Sequence, residues 1–481
     1  MRTNESNTIV AIATPLGEGG ISVVRLSGPD ALSLADKHVI VGAQHAVPQM
    51  ARHVVPLRDS SSHTAHFGRF VGVDSDTLDE VVALVFREPN SYTGENVVEI
   101  SCHGGLLVTR RILRALIDSG ARLAEPGEFT KRAFLNGKLD LSQAEAVADL
   151  IHAGSELAHR SSLQQLEGKL SSQVNSLRDQ LIETVGLLEL ELDFVEDQLE
   201  FLDKNKVSQQ VEKIIASLHA LGETYRAGKV YREGVKVVLA GAPNVGKSSI
   251  LNSLLNENRA IVTDTPGTTR DSIEENLNIG GLLFRVVDTA GLRETADPVE
   301  REGVKRTESQ IQNCDVLVLV FDSARELSKE EVELARKFVE QTKSSSRASF
   351  VVLNKTDLPV VMNGELSERA PFLSAFPVAR ISALTGNGMD GLKNLLVESV
   401  LQTKGRGSDS SVTVTNARHH AALKSAEESL GLALKSLTDN QSNELVAIDL
   451  RAALDRLGEI TGAVTTDDIL NSIFSKFCIG K

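Results

Sequence analysis

The residues with the clearest chemistry form a loop typical of phosphate binding, Gly241-Ala-Pro-Asn-Val-Gly-Lys-Ser248. Its glycines allow backbone N–H groups to approach phosphate oxygens closely. The Lys247 ammonium would neutralise the β- and γ-phosphates, and the Ser248 hydroxyl would coordinate Mg²⁺. A predicted strand precedes the loop and a predicted helix follows it, which is the context that such a loop requires. Alone, the pattern also occurs as an ordinary turn.

Two motifs further along the chain are typical of segments that contact Mg²⁺ and the γ-phosphate. In Gly267-Thr-Thr-Arg-Asp271, either Thr268 or Thr269 could close on the metal and the phosphate. Asp288-Thr-Ala-Gly291 follows another predicted strand. Its carboxylate would hydrogen-bond the water ligands of Mg²⁺, and the N–H of its glycine would face the γ-phosphate.

Two later motifs predict recognition of a guanine base. Asn354-Lys-Thr-Asp357 follows a strand, and Asp357 could accept both N–H donors on the edge of guanine, which adenine does not offer in that arrangement. Ser382-Ala-Leu384 could support the guanine carbonyl with a backbone N–H. Because five motifs occur in a single expected order, five unrelated turns are a poor explanation. The sequence therefore predicts a GTP-binding domain.

The catalytic water of this domain needs an unusual partner. GTPases of the Ras type carry a glutamine directly after the last glycine of the second switch motif, where this chain carries Leu292. An aliphatic side chain cannot orient a water molecule. The chemistry of Arg293, Glu294, Asp297 and Glu300 makes each a candidate, and each could equally be a solvated switch residue. Spacing alone does not choose among them.

Strand alternation places two charged residues on apolar faces near the N-terminus. Arg25 shares a face with Ile21 and Val23, and Glu99 shares a face with Val97. A charge in such a position needs a partner. The alternatives are a structural ion pair between strands, a strand edge that contacts water, or a ligand site.

Three weaker candidates have residue types that do not point to one specific reaction or ligand. The segments Gly17-Glu-Gly-Gly20 and His103-Gly-Gly105 are typical of loops near a ligand, although neither is specific as a motif. Cys478 lies close to the end of the sequence, where there is little core to bury it. We interpret Cys478 as a functional residue whose chemical role is undefined.

Composition restricts the class of protein. The chain has 481 residues, a net charge of −14, 41% hydrophobic residues and 24% charged residues, which predicts about three ordered domains and argues against a broad basic face for nucleic acid. An acidic amphipathic stretch at 183–203 is interpreted as a solvated helix face. The three cysteines are widely spaced, and no secretory signal or membrane helix is visible. We therefore expect a cytoplasmic protein without disulfides.

The elements that must position these residues fall into three regimes. Residues 1–119 are predicted as α+β, with strands at 21–26, 80–86 and 97–100 and a helix at 106–118. Residues 120–228 are predicted to be helical, with a capping box at Ser142-Gln-Ala-Glu145 and long helices at 155–202 and 207–221. Residues 229–401 alternate helices with strands at 235–240, 284–287, 316–321 and 350–353, which predicts a parallel sheet. A linker at 403–411 precedes helices at 417–437, 444–457 and 467–477.

Together these motifs resemble the MnmE (TrmE) family of tRNA-modification GTPases. The resemblance spans the whole chain and includes the segment 127–141 and the ending Cys478-Ile-Gly-Lys481. It implies a multidomain fold: an N-terminal α+β folate-binding-like and dimerisation domain (1–119), a helical domain in two parts (120–228 and 402–481), and an inserted α/β P-loop GTPase (G) domain (229–401).

The resemblance also implies a complete nucleotide site. Its predicted GTP-binding residues are Asn244, Val245, Gly246, Lys247, Ser248, Ser249, Thr263, Asp264, Thr265, Pro266, Gly267, Thr268, Thr269, Asp288, Thr289, Ala290, Gly291, Asn354, Lys355, Thr356, Asp357, Ser382, Ala383 and Leu384. Mg²⁺ would be bound by Ser248 and Thr269. K⁺ would be bound by Asn244, Thr263, Thr265 and Thr268, at G domains that pair when GTP binds. Glu300 would position the water, with Lys247 as the second catalytic residue of the G domain.

A second implied site binds a reduced folate of the 5-formyl- or methylene-tetrahydrofolate type. Its predicted residues are Arg25, Glu99, Lys138 and Lys481. The implied partners are GTP/GDP, tRNA, a second copy of the chain through the N-terminal domain, and the flavoprotein MnmG in a heterotetramer, with no membrane. The implied reaction places a carboxymethylaminomethyl-type group on C5 of the wobble uridine, and Cys478 would serve this modification rather than GTP hydrolysis.

The alternative is a regulatory GTP switch of the ribosome-assembly type that binds rRNA without modifying it. Such proteins share the Pro-Asn loop and the aliphatic residue after the second switch motif. They lack a folate domain and the Cys478–Lys481 ending, so folate that co-purifies with the protein would separate the two interpretations.

Overall fold

The computed structural model describes residues 7–41, 56–193, 204–258, 274–288, 310–342, 348–362, 368–404, 412–439 and 441–481. Its contacts divide the chain into two compact units. The first unit comprises Met1–Ala148 and Gly458–Lys481, and the second comprises Asp149–Leu457.

Two sheets and a series of helices make up the described residues. The strands are β1 Ile9–Ile12, β2 Gly19–Ser27, β3 Val39–Val41, β4 Thr64–Val71, β5 Thr77–Phe86, β6 Val97–Gly104, β7 Arg122–Leu123, β8 Val235–Ala240, β9 Glu274–Ile279, β10 Leu282–Asp288, β11 Val316–Asp322, β12 Ala348–Asn354 and β13 Val378–Arg380. The helices are α1 Ala31–His38, α2 Leu106–Asp118, α3 Glu128–Leu135, α4 Leu141–Ile151, α5 Glu156–Leu166, α6 Lys169–Asp193, α7 Lys204–Glu223, α8 Tyr225–Glu233, α9 Lys247–Asn258, α10 Lys329–Thr342, α11 Met389–Lys404, α12 Ala417–Thr438, α13 Asn443–Thr461 and α14 Asp467–Phe474.

A seven-stranded sheet forms the base of the first unit, in the order β3-β4-β5-β6-β2-β1-β7. All neighbouring strands are antiparallel except β1 and β7. Residues that alternate along β2 and β6, such as Val24, Leu26 and Ile100, are fully buried with Ile112 and Leu116 of α2. The predicted strands therefore lie within β2, β5 and β6, and the predicted helix at 106–118 coincides with α2.

The predicted capping box at the start of α4 is wrong. The Asp140 backbone N–H donates to Gln143 Oε1 at 3.0 Å, and the Gln143 N–H donates to Asp140 Oδ1 at 2.9 Å. Ser142 and Glu145 are instead buried within the helix. The spacing of a capping box occurs twice in this segment, and burial of the Leu141 side chain favours the earlier start.

The C-terminal helix α14 belongs to the first unit. Its residues Leu470 and Phe474, followed by Phe477, form one apolar cluster with Leu141 and Ala144 of α4. This packing joins residues 458–481 to α4, and the pairing of β7 with β1 joins the start of the segment 120–148 to the N-terminal sheet. The predicted four-part division is finer than this two-unit grouping, and its boundaries stay a prediction.

In the second unit, the predicted helix at 155–202 is interrupted. Ser155 caps α5 by accepting a hydrogen bond from the Ala158 N–H at 3.2 Å. Gly168, with φ of +79°, ends this helix, and α6 begins at the next residue. A glycine in the left-handed region is a common helix terminator. Residues 194–203 of the predicted helix lie outside the described residues.

The second sheet has the order β13-β12-β11-β8-β10-β9 and is parallel apart from the β9–β10 hairpin. Every residue of β11 is buried, because apolar clusters cover both faces of the sheet. The four predicted strands of this regime lie within β8, β10, β11 and β12. The predicted α/β fold is therefore confirmed, and it brings the carboxyl ends of β8, β11 and β12 to one edge.

Within the described ranges, no helix combines the length and the apolar character that crossing a bilayer requires.

Candidate functional sites

The phosphate-binding loop connects β8 to α9, which is the strand–loop–helix context that the sequence predicts. Asn244 has a φ of +62° and is exposed, and Gly246 has a φ of +98°. Val245 is fully buried between them. The buried side chain anchors the loop while the neighbouring residues curve its backbone, an arrangement suited to wrapping an anion.

The ammonium of Lys247 is held inside this curve. Its Nζ atom donates to the carbonyls of Gly241 and Ala242, each at 2.9 Å, and the residue is 5% exposed. Ser248 and Ser249 follow in the first turn of α9 and are exposed. The loop thus collects one cation, a helix N-terminus and hydroxyl groups, which are groups that bind a phosphate and its Mg²⁺.

Asn354 joins the phosphate loop to the predicted base-binding segments. Its Nδ2 donates to the Val245 carbonyl at 2.9 Å, and its Oδ1 accepts from the Ala383 N–H at 3.1 Å. The residue is 2% exposed, so both hydrogen bonds are shielded from water. One side chain therefore sets the spacing between the loop and residues 382–384.

The base-binding segment itself is tied at both ends. Lys355 has a φ of +65°, and its Nζ pairs with Asp322 Oδ2 at 2.6 Å. Asp357 Oδ1 accepts a hydrogen bond from the Ser382 hydroxyl at 2.6 Å. The carboxylate is thereby oriented before any base arrives, which reduces the ordering cost of binding. Leu384 is exposed. The Thr356 N–H donates to the Ile381 carbonyl, directly before Ser382.

A cavity of about 550 Å³ lies beside the loop, lined among others by Asn244, Asp322 and Lys355. Asp322 was not singled out from the sequence, although an acidic residue that ends a fully buried strand is a recognisable signal. In the structure, Asp322 Oδ2 pairs with Lys355 Nζ at 2.6 Å, and Arg325 Nε lies 3.7 Å from the same oxygen.

Part of the predicted nucleotide site lies outside the described residues. These residues are Thr263, Asp264, Thr265, Pro266, Gly267, Thr268, Thr269, Thr289, Ala290, Gly291 and Glu300. The backbone of Asp288 ends β10 in parallel register with Leu239 of β8, next to the start of the loop. Of the predicted metal ligands, Ser248 and Asn244 are described, and both lie at this edge of the sheet.

Arg25 and Glu99 form an ion pair across β2 and β6. They are direct register partners, and Arg25 Nε donates to Glu99 Oε1 at 2.8 Å. Their side chains are 14% and 22% exposed. The guanidinium also lies over the rings of Tyr92 and Phe129, at 5.5 and 5.6 Å from the ring centroids. This contact agrees with the interpretation of Arg25 and Glu99 as a structural ion pair. Part of both side chains nevertheless remains accessible to solvent.

The chain ending packs against this pair. Arg25 Nη1 donates to the Gly480 carbonyl at 3.4 Å, and the Gly127 N–H donates to the Cys478 carbonyl at 3.4 Å. Gly480 is buried with a φ of +99°, whereas Cys478 is exposed. Burial, reinforced by the nearby charge of Arg25, lowers the pKa of Lys481, and Glu99 opposes the shift. Arg25, Glu99 and Lys481 are thus brought together.

Lys138 occupies a different position. Its Nζ donates to the Pro89 carbonyl at 3.0 Å, and the residue is exposed. None of the contacts of the described residues joins Lys138 to the Arg25–Glu99 pair. The four predicted folate residues therefore form a cluster of three and one separate lysine.

Comparison with known sequences decides the family. The family model described as the MnmE helical domain matches residues 141–478, and the model described as the GTP-binding protein TrmE N-terminus matches residues 8–138. The chain belongs to the MnmE (TrmE) family. Relatives named tRNA modification GTPase MnmE include those of Chlorobaculum tepidum, Salinibacter ruber and Syntrophotalea carbinolica. They are 42%, 42% and 44% identical to this chain, over 98%, 99% and 99% of it and 97%, 100% and 99% of their own lengths.

In this member of the MnmE family, sequence reasoning missed the aromatic surroundings of Arg25. Tyr92 donates to or accepts from the Thr130 hydroxyl at 2.8 Å, and burial raises the pKa of its own hydroxyl. Phe129 is fully buried. No periodic pattern connects these two residues to β2, because they reach Arg25 from a turn and from α3.

Proposed function

We propose that the chain is a GTPase that acts in tRNA modification. The observation that carries this proposal is Asn354, whose two hydrogen bonds join the phosphate loop and the base-binding segment into one nucleotide site. The test is nucleotide hydrolysis by the purified protein, together with nucleoside analysis of tRNA from cells that lack it. We expect hydrolysis of GTP but not ATP, and loss of a modified uridine. Hydrolysis of both nucleotides, or unchanged tRNA, would contradict the proposal.

Each group in the site has a defined task in this activity. Asp357, oriented by Ser382, would accept the N–H donors of guanine, and a backbone N–H of the segment 382–384 would support its carbonyl. Lys247 would exchange its two loop carbonyls for the β- and γ-phosphates. Mg²⁺ held by Ser248 would neutralise the charge that develops on the phosphates.

We further propose that K⁺ stimulates hydrolysis, as the family resemblance implies. Asn244 would contribute to holding the ion, and Glu300 would orient the water that Leu292 cannot hold. A cation at this position would replace an arginine finger, which is worth roughly 10³–10⁵ in rate. We expect fast turnover in K⁺ and slow turnover in Na⁺, loss of the difference in Asn244→Ala, and slow hydrolysis by Glu300→Ala. Equal rates in the two salts would contradict the K⁺ proposal.

We also propose that the cluster of Arg25, Glu99 and Lys481 binds a reduced folate that supplies a one-carbon unit. The guanidinium, carboxylate and amine lie together at one accessible edge, where the carboxylate would accept the adjacent N–H donors of a pterin ring and the two cations would face its acceptors. Arg25→Ala and Glu99→Ala should each weaken folate binding at least tenfold, since a charge-assisted contact is worth roughly 1.5–3 kcal/mol. Lys138→Ala tests the separate lysine. Unchanged affinity in all three would leave the ion pair with a structural role alone.

The remaining proposals concern partners. We propose that the protein works in the cytoplasm with the flavoprotein MnmG, dimerises through its N-terminal domain, and modifies C5 of the wobble uridine. Cys478 is exposed beside the folate cluster, which suits a role in the modification. Cys478→Ser should abolish the modified uridine and leave GTP turnover near normal. The rRNA-switch alternative gives no role to this cysteine or to the Arg25 cluster.

A further inference from the structure

His103 is held in one orientation by a single carboxylate. Its Nδ1 lies 2.7 Å from Asp79 Oδ1, and its backbone N–H donates to Asp79 Oδ2 at 2.7 Å. The imidazole is 73% exposed, whereas the aspartate side chain is 10% exposed. An exposed side chain ordinarily gains little from being ordered. Here one oxygen of the carboxylate fixes the ring and the other fixes the backbone of the same residue, which leaves Nε2 as the nitrogen open to a ligand.

The position of His103 relates it to the proposed folate cluster. Glu99, Ser101 and His103 alternate on β6, and their register partners on β2 are Arg25, Val23 and Ile21. At 3.3 Å per residue, His103 lies about 13 Å from Glu99 along the strand.

The surface between these two charged positions is small and apolar. It is formed by Ser101 and its register partners Val23 and Val82, and Ile21 beside His103 is 70% exposed. The row therefore presents a polar head at Arg25, a middle of small and mostly apolar side chains, and a cationic end. A reduced folate has the same order of parts: a pterin ring, a p-aminobenzoyl ring and glutamyl carboxylates.

We propose that His103, held by Asp79, binds the glutamyl carboxylates of the folate whose pterin end lies at Arg25 and Glu99. This inference rests on the folate site proposed above. The hydrogen bond to Asp79, strengthened by its charge, holds the pKa of His103 above its ordinary value, so the ring carries positive charge over a wider pH range.

Other charged groups nearby are already paired. Glu80 on β5 lies 3.9 Å from Arg69 on β4, and Arg111 on α2 lies 2.6 Å from Asp76. Glu80 adds to the rise in the pKa of His103. Among these charged side chains, the His103 imidazolium therefore keeps one N–H donor, on Nε2, for a ligand. An anionic tail is the chemistry that such a donor recognises.

The experiment compares two ligands by calorimetry on the full-length protein: 5-formyl-tetrahydrofolate and the same compound with a neutral carboxamide in place of the glutamate, 5-formyl-tetrahydropteroyl amide. His103→Gln should weaken binding of the first about tenfold and leave binding of the second unchanged. The matched control is His219→Gln, since His219 is another exposed histidine paired with an acid, Glu427, at 3.2 Å. Equal losses for both ligands, or no loss for either, would overturn the inference.

The pH dependence of ligand affinity is a second readout, which a purely structural histidine would not produce. In the wild type, affinity for the glutamyl ligand should fall as pH rises through the raised pKa of His103, and affinity for the pteroyl amide should stay level. Asp79→Asn should move this fall to lower pH, because the pKa returns towards its ordinary value. A wild-type protein that binds neither ligand would refute the folate proposal itself, whereas binding of both with no effect of His103→Gln refutes only this inference.

Discussion

Asn354 and Gly246 occupy adjoining space at the nucleotide site. A Cβ atom on Gly246 would lie far closer to Asn354 Nδ2 than van der Waals contact allows, so the amide reaches the Val245 carbonyl only because residue 246 has no side chain. The geometry of the loop and the position of the base-binding segment therefore both depend on the absence of a side chain at residue 246.

The first prediction follows from this close approach. Gly246→Ala should lower GDP affinity more than tenfold, because the added methyl displaces Asn354 and because a φ of +98° strains any residue with a Cβ. Gly391→Ala is the control, since a Cβ there meets no neighbour. Because alanine favours helix α11 over glycine, the free energy of unfolding should rise by about 0.5–1 kcal/mol. Fluorescent-nucleotide titration and thermal unfolding measure the two effects. Normal GDP affinity in Gly246→Ala would contradict this account.

The second prediction concerns Asp322. Asp322→Asn should weaken GDP and GTP binding about fivefold to tenfold, because Lys355 loses the carboxylate that holds its ammonium at 2.6 Å. Asp390→Asn removes an exposed acid of the same unit, paired with Lys393, and should change nothing. Titration of both variants at fixed ionic strength is the measurement. An equal response in the two variants would show that Asp322 has no special part in nucleotide binding.

The sequence predicted those parts of the fold that depend on local pattern. Helix α2 and the strand–loop–helix around Lys247 agree with the prediction because hydrophobic periodicity and glycine spacing are local properties. The start of α4 was wrong because two caps compete there and tertiary burial chooses between them. Alternation showed that Arg25 needed a partner, but strand register supplied Glu99, and register is set over the whole sheet.

The third prediction concerns the chain ending. Gly480→Ala should detach residues 478–481 from the sheet, because its φ is +99° and a Cβ would collide with the Ile12 carbonyl. We expect faster hydrogen exchange at the Gly127 amide, which bonds the Cys478 carbonyl, and weaker folate binding. GTP hydrolysis should be unaffected. Gly431→Ala, where a Cβ meets nothing, is the control, and unchanged exchange at Gly127 would argue against the docked ending.

The fourth prediction concerns acidity at Lys481. Burial, and then Arg25, lower the pKa of this amine, so it should titrate below the ordinary value for lysine. Its protonated form is disfavoured in the folded state. The resulting loss of stability should be present below the folded pKa and should disappear as pH rises towards the unfolded pKa. NMR titration of ¹³C-methylated lysines measures the midpoint, which should rise in Arg25→Gln. A midpoint that Arg25→Gln does not move would exclude the charge of Arg25 as a cause.

The hydrogen bond from Arg25 to Gly480 spans 455 positions of sequence, and the whole second unit is encoded between them. On the ribosome, the strands of the first unit emerge early, yet the residues that complete its Arg25 cluster emerge only after the second unit has been synthesised. Closing so long a loop is entropically costly unless the intervening chain has already become compact. The second unit should therefore become compact before this contact forms during translation, and the cluster around Arg25 should be among the last parts of the protein to mature.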